Sequence, residues 1–505
     1  MLKTKNTLVI AITAIIITVF FFSFGSLTSG YHFSDDHEVL SIVDSLSKKP
    51  FAEVSADVIS ADFSWRYRPV YYLHRVTQCY VFGENFYQWS VYTMILCILT
   101  FSLFYLAIRK LGFSIAESIL FLSVSFLGSQ MNVWWRLGPN ETLGSLFLAL
   151  SFFFIGKCQK HYNRNTLWFS IFLILASLSK ESYTIIMPAI LLFKIWHEKT
   201  VFHITFKDSL YKNRLLAIPL TVMLFNLAFI VFFVGTDKVG YAGVDSSIFN
   251  KISEVLGVFK NLRIYFMITG IFIAALFIFL RKSELSPAFK KLLIPFIIFI
   301  LVVAPNIILY AKSGMDERYY LPATQGFALL LIFIAREIRF RKSWAALALI
   351  FIAFFCQRFQ YREVVWRVEE FVSEGNDNKA LFQAVLADYS DGPTVLLAAD
   401  PVASYEATHS VIYYLERVRK ISFYGFPIAA TSSWNDLKEF SEYLRQGWLT
   451  WFKGKLYQDL NKKPDIIIVM NKSLSDKFFK DSGLDPHKYV NKLGDKNRYA
   501  VYVKK

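Results

Sequence analysis

Residues 1–40 read MLKTKNTLVIAITAIIITVFFFSFGSLTSGYHFSDDHEVL. A short basic start, Met1 to Asn6, is followed by an unbroken apolar run from Thr7 to about Leu27. A secretory signal has a shorter apolar core and ends at a small-residue cleavage site. Ile, Phe and Val fill this run instead, and about 20 such residues cross the hydrocarbon core of a bilayer. The run reads as a retained first span with its N-terminus in the cytoplasm. A few residues beyond it stand two adjacent acids, Asp35 and Asp36.

The rest of the chain repeats the pattern. After a polar stretch over 28–88, apolar blocks recur near 89–108, 113–131, 141–156, 166–178, 182–196, 215–235, 262–280, 292–310, 321–335 and 343–357. With the first run they make about eleven candidate spans. Of the 505 residues, 55% are hydrophobic and 19% charged, where a soluble chain carries about a quarter charged. The net charge of +16 does not gather into a stripe for nucleic acid. Its Lys and Arg residues sit in alternate short loops, among them Arg109-Lys110, Arg281-Lys282 and Arg336 to Lys342. Positive-inside orientation puts them there, so the charge reports topology and lipid head groups. An odd number of spans sets the C-terminus outside. Compact loops and Lys-, Asn-, Phe- and Ile-rich usage read as a multi-pass protein of a bacterial inner membrane.

Beyond about residue 360 the composition becomes charged and turn-rich. Thr394 to Ala399, Asp465 to Met470 and Tyr499 to Val503 read as strands, with helical patterns near 375–388, 405–418 and 434–447 between them. The expected organisation is a transmembrane domain over 1–360, which includes the first outer loop 28–88. A soluble α/β domain follows over 361–505, on the periplasmic or extracellular side.

Four clusters carry chemistry. The first, Tyr31 to Glu38, holds Asp35 and Asp36 with His37 and Glu38 beside them. Adjacent carboxylates raise one another's pKa, and one can then act as general base toward an acceptor. The alternative is a solvated helix cap at Ser34 or Asp35. The second, Ser64 to Arg75, interleaves Arg66 and Arg68 with aromatic residues. That suits a grip on phosphate, or an interfacial aromatic belt with snorkelling arginines. The third is the Arg136-Leu137-Gly138-Pro139-Asn140-Glu141 turn, echoed by Lys180-Glu181 in the next outer turn. Charges beside a span are functional or locally paired. In the fourth, Asp316 to Pro322, Arg318 and Tyr319 offer a cation and an aromatic face to an anionic ligand. The alternative for Arg318 is a pair with Asp316 or Glu317. One charge-derived topology puts all four clusters on the same side of the membrane.

Other chemistries find little support. The four cysteines show no CxxC spacing, and no GxxxxGK[ST] or GxGxxG nucleotide motif occurs. His32, His37 and Glu38 lack a recognised ligand spacing, so a divalent cation is open and no cofactor is specified.

A first span followed at once by an acidic pair resembles the GT-C type membrane glycosyltransferases. So do a long first outer loop, the Arg68-Pro69 segment before the second span, and Arg318-Tyr319-Tyr320-Leu321-Pro322 before a late span. The chain is most similar to the protein O-mannosyltransferases and lipid A aminoarabinose transferases, over roughly residues 1–360. The resemblance implies a polytopic helical fold of that type and an inverting sugar transfer from a polyprenyl phosphate or diphosphate. Asp35 would be the base and Asp36 its support or substitute, with Arg318, Arg66 and Arg68 on the donor phosphate. A glycan, a lipid or a protein is the acceptor.

The departures are an Asp-Asp pair where the family commonly has Asp-Glu, and Trp134-Trp135 followed by Arg136 where oligosaccharyltransferases have Trp-Trp-Asp. Two other functions fit the same topology: a transporter or flippase for a lipid-linked sugar, and a polysaccharide polymerase or ligase. Short late loops and charges at span ends count against both.

Overall fold

The structure is a computed structural model, and it describes residues 2–33, 36–63, 66–155, 162–234, 248–310, 317–387, 393–400, 404–428, 457 and 463–505. The chain forms two compact units. The first takes Met1–Ser23, Ser55–His74 and Val91–Val368, and the second takes Phe24–Val54, Arg75–Ser90 and Glu369–Lys505.

The first unit is a helical bundle. Six helices among the described residues are long and apolar enough to cross a membrane: Thr4–Phe24, Phe86–Lys110, Arg214–Phe233, Ser283–Leu309, Arg318–Arg339 and Ser343–Ala387. The pair Val255–Asn261 and Arg263–Phe279, bent by 64° at its break, adds a seventh if it is one span. The shorter apolar blocks appear as helices Ile115–Phe126, Glu141–Ile155 and Tyr162–Ser177.

Apolar content alone does not decide which helix lies inside. Thr4–Phe24 has mean hydropathy 2.6 yet only 11% of its apolar window is buried, whereas Arg318–Arg339 has mean hydropathy 1.4 and is 94% buried. Lipid is as apolar as leucine, so helices with small and polar residues are the ones drawn into protein contact. Leu321–Arg339 accordingly carries Thr324 and Gly326 and packs among Ile115–Phe126, Arg263–Phe279, Lys282–Tyr310 and Ser343–Cys356. Thr324 Oγ1 donates to the Ser125 carbonyl at 2.8 Å.

The second unit is built on a five-stranded sheet in the order β2-β1-β3-β5-β4. The strands are β1 Val395–Ala399, β2 Phe423–Pro427, β3 Ile466–Val469, β4 Tyr489–Asn491 and β5 Ala500–Lys504. β1 lies parallel to β2 and β3, while β5 is antiparallel to β3 and β4. The expected strands are β1, β3 and β5; β2 and β4 are the two edges that sequence reading missed. β1 and β3 are buried at every position, as continuous apolar runs covered on both faces should be. Their side chains alternate between two cores. Leu396, Ala398, Ile467 and Val469 meet Phe478 and Phe479 on one face. Leu397, Ile468 and Val501 meet Leu381, Phe382 and Val385 on the other.

Tyr31, Phe33 and Leu40 belong to that second core. The stretch just after the first span therefore folds as part of the sheet unit. The expected helices appear within Arg358–Ala387 and Tyr405–Val418, and the pattern near 434–447 lies outside the described residues.

His409, on Tyr405–Tyr413, has its ring 4.7 Å from that of His37. Burial first, and the His37 charge second, hold its pKa down at about 3. An unfolded histidine titrates near 6.5, so the unfolded chain takes up this proton first. The stability of neutral His409 is fully present above about pH 6.5 and is lost as pH falls toward the folded value. Thermal unfolding of the sheet unit is expected at lower temperature at about pH 4.5 than at about pH 7, by a smaller margin in His409→Phe. An equal acid shift in both proteins would contradict this.

Candidate functional site

In the helical unit, the break before the helix Glu181–Phe202 organises the charges. Lys180 caps that helix in extended conformation, so Lys180 and Glu181 diverge from one point. Lys180 Nζ lies 3.1 Å from Glu141 Oε1, both side chains being almost fully buried. The same ammonium stands 4.8 Å from the centre of the Tyr319 ring.

Glu181 turns to the arginines, its Oε1 being 3.6 Å from Arg66 Nε and 4.0 Å from Arg68 Nε. Arg68 is held further by Asp62. Its Nη2 and Nε donate to Asp62 Oδ1 at 2.6 and 3.2 Å, and its backbone N–H donates to Asp62 Oδ2 at 2.9 Å. Arg68 also donates to the Tyr72 hydroxyl at 3.2 Å. Burial alone would weaken the Arg68 charge. Glu181, Tyr72 and Asp62 outweigh that effect and raise its pKa well above the ordinary value.

Arg318 joins through the short 3-10 helix Glu317–Tyr320. Its Nη2 donates to the Tyr319 hydroxyl at 3.3 Å, and its guanidinium centre is 5.1 Å from that ring. The backbone fastens these segments together, because Val70 N–H donates to the Leu178 carbonyl and the Tyr71 hydroxyl to the Gly138 carbonyl.

One network thus holds Arg66, Arg68, Glu141, Lys180, Glu181, Arg318 and Tyr319. Among the described residues it contains four cations and three carboxylates, counting Asp62. Asp62 was not singled out in the sequence; its only signal is a carboxylate six residues before Arg68. Arg136 is half-buried and makes no ion pair among the described residues. Asp316 lies outside the described residues.

The sheet unit holds the acidic segment. Asp35 lies outside the described residues. Asp36 begins the helix Asp36–Leu46 and is buried. Its Oδ2 accepts the His32 backbone N–H at 2.9 Å and lies 3.7 Å from His32 Nδ1. This carboxylate closes the turn from 32 to 36 from within the first turn of the helix, and the expected caps, Ser34 and Asp35, lie outside the described residues.

His32 stacks on Phe371 with ring centres 3.6 Å apart, and its Nε2 is 3.1 Å from the Phe371 carbonyl. Gly375 lets this approach happen. A Cβ there would stand 2.7 Å from His32 Nε2 and strike the Ser29 carbonyl oxygen. His37 Nδ1 is 2.9 Å from Ser410 Oγ, and that hydroxyl donates to the Phe33 carbonyl. Glu38 Oε2 lies 3.6 Å from Nε of the buried Arg75, whose guanidinium covers Trp89 at 4.9 Å. Ser410, Phe371 and Gly375 escaped sequence reading, because contacts this distant in the chain leave no local pattern; Arg75 closes the second sequence cluster, but its pairing with Glu38 was not foreseen.

No three His, Cys, Asp or Glu side chains cluster as a metal site among the described residues. Asp36 stands beside His32, but it already serves a backbone donor. The described residues do not fit a resident cation by themselves.

No protein-family model and no curated protein matches the chain. Among solved structures it is similar to ArnT from Cupriavidus metallidurans, crystallised bound to undecaprenyl phosphate. The TM-score is 0.50 and the identity 14%, over 99% of this chain and 98% of that one. The fold is therefore of the GT-C type, and with its apolar helices the chain is an integral membrane protein.

The geometry yields two expectations. Glu141→Ala strips Lys180 of its buried carboxylate and should cost about 3–5 kcal/mol. Adding Lys180→Met should recover most of that loss in thermal unfolding of the solubilised chain; a double-variant loss equal to the sum of the Glu141→Ala and Lys180→Met losses would show that the pair is uncoupled. Gly375→Ala, which forces His32 from Phe371, should cost about 1–3 kcal/mol, whereas Gly494→Ala, with open space at its Cβ, should cost much less in the same measurement.

Proposed function

We propose that this chain is an inverting glycosyltransferase, moving a sugar from a polyprenyl-phosphate donor to an acceptor at the outer face of a bacterial inner membrane. The N-terminus faces the cytoplasm, and the sheet unit lies on the periplasmic or extracellular side. The observation that carries the reading is the network of Arg66, Arg68, Lys180 and Arg318 on a GT-C type fold. Its solved neighbour binds undecaprenyl phosphate, a ligand that needs such cations at the membrane interface.

The reaction is a displacement at the anomeric carbon. The acceptor oxygen attacks from the face opposite the phosphate and forms the new carbon–oxygen bond. The carbon–oxygen bond to phosphate breaks, and its electron pair leaves with the polyprenyl phosphate. Inversion follows from that geometry. The acceptor's proton needs a carboxylate within about 3 Å, and the departing phosphate needs fixed positive charge.

Asp35 takes the proton in this reading, because Asp36 is already engaged with the His32 backbone. Asp36 thus acts as the support, holding the start of its helix while its neighbour does the chemistry. Arg318, Arg66 and Arg68 meet the donor phosphate. Arginine keeps its proton under all working conditions and presents a planar fork to phosphate oxygens. Lys180 adds a charge kept in place by Glu141, and Arg136 brings a further cation to the same turn. A glycan, a lipid or a protein serves as acceptor, and the sheet unit is suited to engaging it.

Asp35→Asn tests the assignment. Transfer from a panel of undecaprenyl-phosphate sugars should fall by about 10²- to 10⁴-fold, with expression and undecaprenyl-phosphate binding kept. Arg318→Gln should instead weaken binding of that lipid. Full transfer by Asp35→Asn would remove the base from this role. Translocation of labelled lipid-linked sugar in liposomes without a glycosidic product would reassign the chain to transport.

A further inference from the structure

A polar cavity sits in the helical unit, beside the cation network. It has a volume of about 220 Å³ and is lined by Gln130, Lys260, Arg263, Tyr320 and Gln360, and by Glu363, whose carboxylate accepts from Arg367 Nε at 3.0 Å. Tyr320 follows Tyr319 in the same short 3-10 helix, so the two sites share one wall.

Three observations point to a ligand. First, Gln360 is 9% exposed, and its Oε1 has no hydrogen-bond partner among the described residues. A buried amide oxygen left unmatched is costly, and a ligand hydroxyl would satisfy it. Second, the cavity lies at the 64° break between Val255–Asn261 and Arg263–Phe279. The second helix has no side-chain cap at Leu262, and Arg263, Ile264 and Tyr265 at its start all line the cavity. Uncapped amides and the positive end of a helix favour an anion. Third, Lys260 and Arg263 flank that helix start and form no ion pair among the described residues.

The lining is built to keep its shape. Gln130 Nε2 donates to the Ser125 and Leu127 carbonyls and, at 2.9 Å, to the Tyr265 hydroxyl, which donates in turn to Leu127. Asn261 donates to the Tyr320 hydroxyl at 2.7 Å. Gly128, at φ +137°, is the residue that lets Gln130 and Tyr265 close in, since a Cβ there would lie 2.6 Å from Gln130 Oε1. Phe359, half-exposed at the rim, supplies an aromatic face.

We propose that this cavity is a subsite for an anionic sugar, with the ring hydroxyls against Gln360, Gln130 and Asn261 and the phosphate or carboxylate at Lys260, Arg263 and the helix start. Drug-sized ligands occupy about 300–1,000 Å³, so the volume suits one sugar ring. The proposal rests on the transfer reading only in assigning that sugar to the acceptor; binding itself is independent of it. The donor phosphate belongs to the neighbouring network, and this cavity would hold an acidic acceptor head group one residue away from it along the shared wall.

The test uses the purified full chain in nanodiscs, with glucose 1-phosphate as probe and methyl glucoside and inorganic phosphate as controls. Ligand-observed NMR titration should show saturable binding of glucose 1-phosphate, tighter than either control. K260Q/R263Q should weaken it about tenfold, and Q360L about threefold. Undecaprenyl-phosphate binding should be unchanged in both variants. Absence of saturable binding, or equal binding in wild type and variants, overturns the proposal. Inorganic phosphate binding as tightly as glucose 1-phosphate overturns the sugar specificity. Loss of undecaprenyl-phosphate binding in K260Q/R263Q overturns the separate subsite, because those cations would then serve the donor. Wild type that binds glucose 1-phosphate but no undecaprenyl phosphate upholds this subsite and defeats the transfer reading instead.

Discussion

A charge inside a helical bundle persists only with an opposite charge beside it, because the surrounding dielectric is too low to solvate it alone. The buried pair of Lys180 and Glu141 obeys that rule, and much of the neighbouring geometry follows from it. Lys180 and Glu181 are consecutive, yet they answer to different partners. The first is drawn to the turn before Glu141 and to the Tyr319 ring; the second is drawn to Arg66 and Arg68. One break before one helix therefore ties together three segments far apart in the chain. Removing either half would leave an ion stranded in a bundle that cannot hydrate it.

The sheet unit reaches order by a different route, through apolar burial. Tyr31 and Phe33 enter a core made mostly of strands and helices hundreds of residues later. Around them Asn378, Ser410 and Glu374 satisfy the backbone of residues 31 to 33, at 2.9 Å for Asn378 and Ser410 and 3.4 Å for Glu374. Backbone groups buried in a loop must find partners, and here side chains supply them. Residues 31 to 33 are thereby fixed on both their apolar and their polar sides.

Sequence reading recovered those parts of this arrangement that have a local cause. Apolar blocks and alternate basic loops announced a polytopic fold, and β1, β3 and β5 were visible as short apolar runs. β2 was hidden because Gly425 and Pro427 read as a turn; an edge strand tolerates both residues. Arg66, Arg68, Lys180, Glu181 and Arg318 were each singled out in the sequence, and the fold links them in one network. Their pairings were not foreseen. Asp62 looks like any acid at a helix end, although Arg68 is only six residues away. The reach of Glu181 to Arg66 and Arg68, and of His32 to Phe371, is decided by packing across the fold, and local pattern does not encode it.

The nearly complete enclosure of the helix Leu321–Arg339 has a consequence for how that helix is kept in the membrane. With mean hydropathy 1.4, its span partitions into lipid far less readily than Ser283–Leu309, whose value is 2.8. Thr324 and Gly326 suit a protein neighbour better than an acyl chain. The polar helix therefore owes its place in the membrane to protein neighbours, and the oilier helix Lys282–Tyr310, made just before it and packed against it, is one of them.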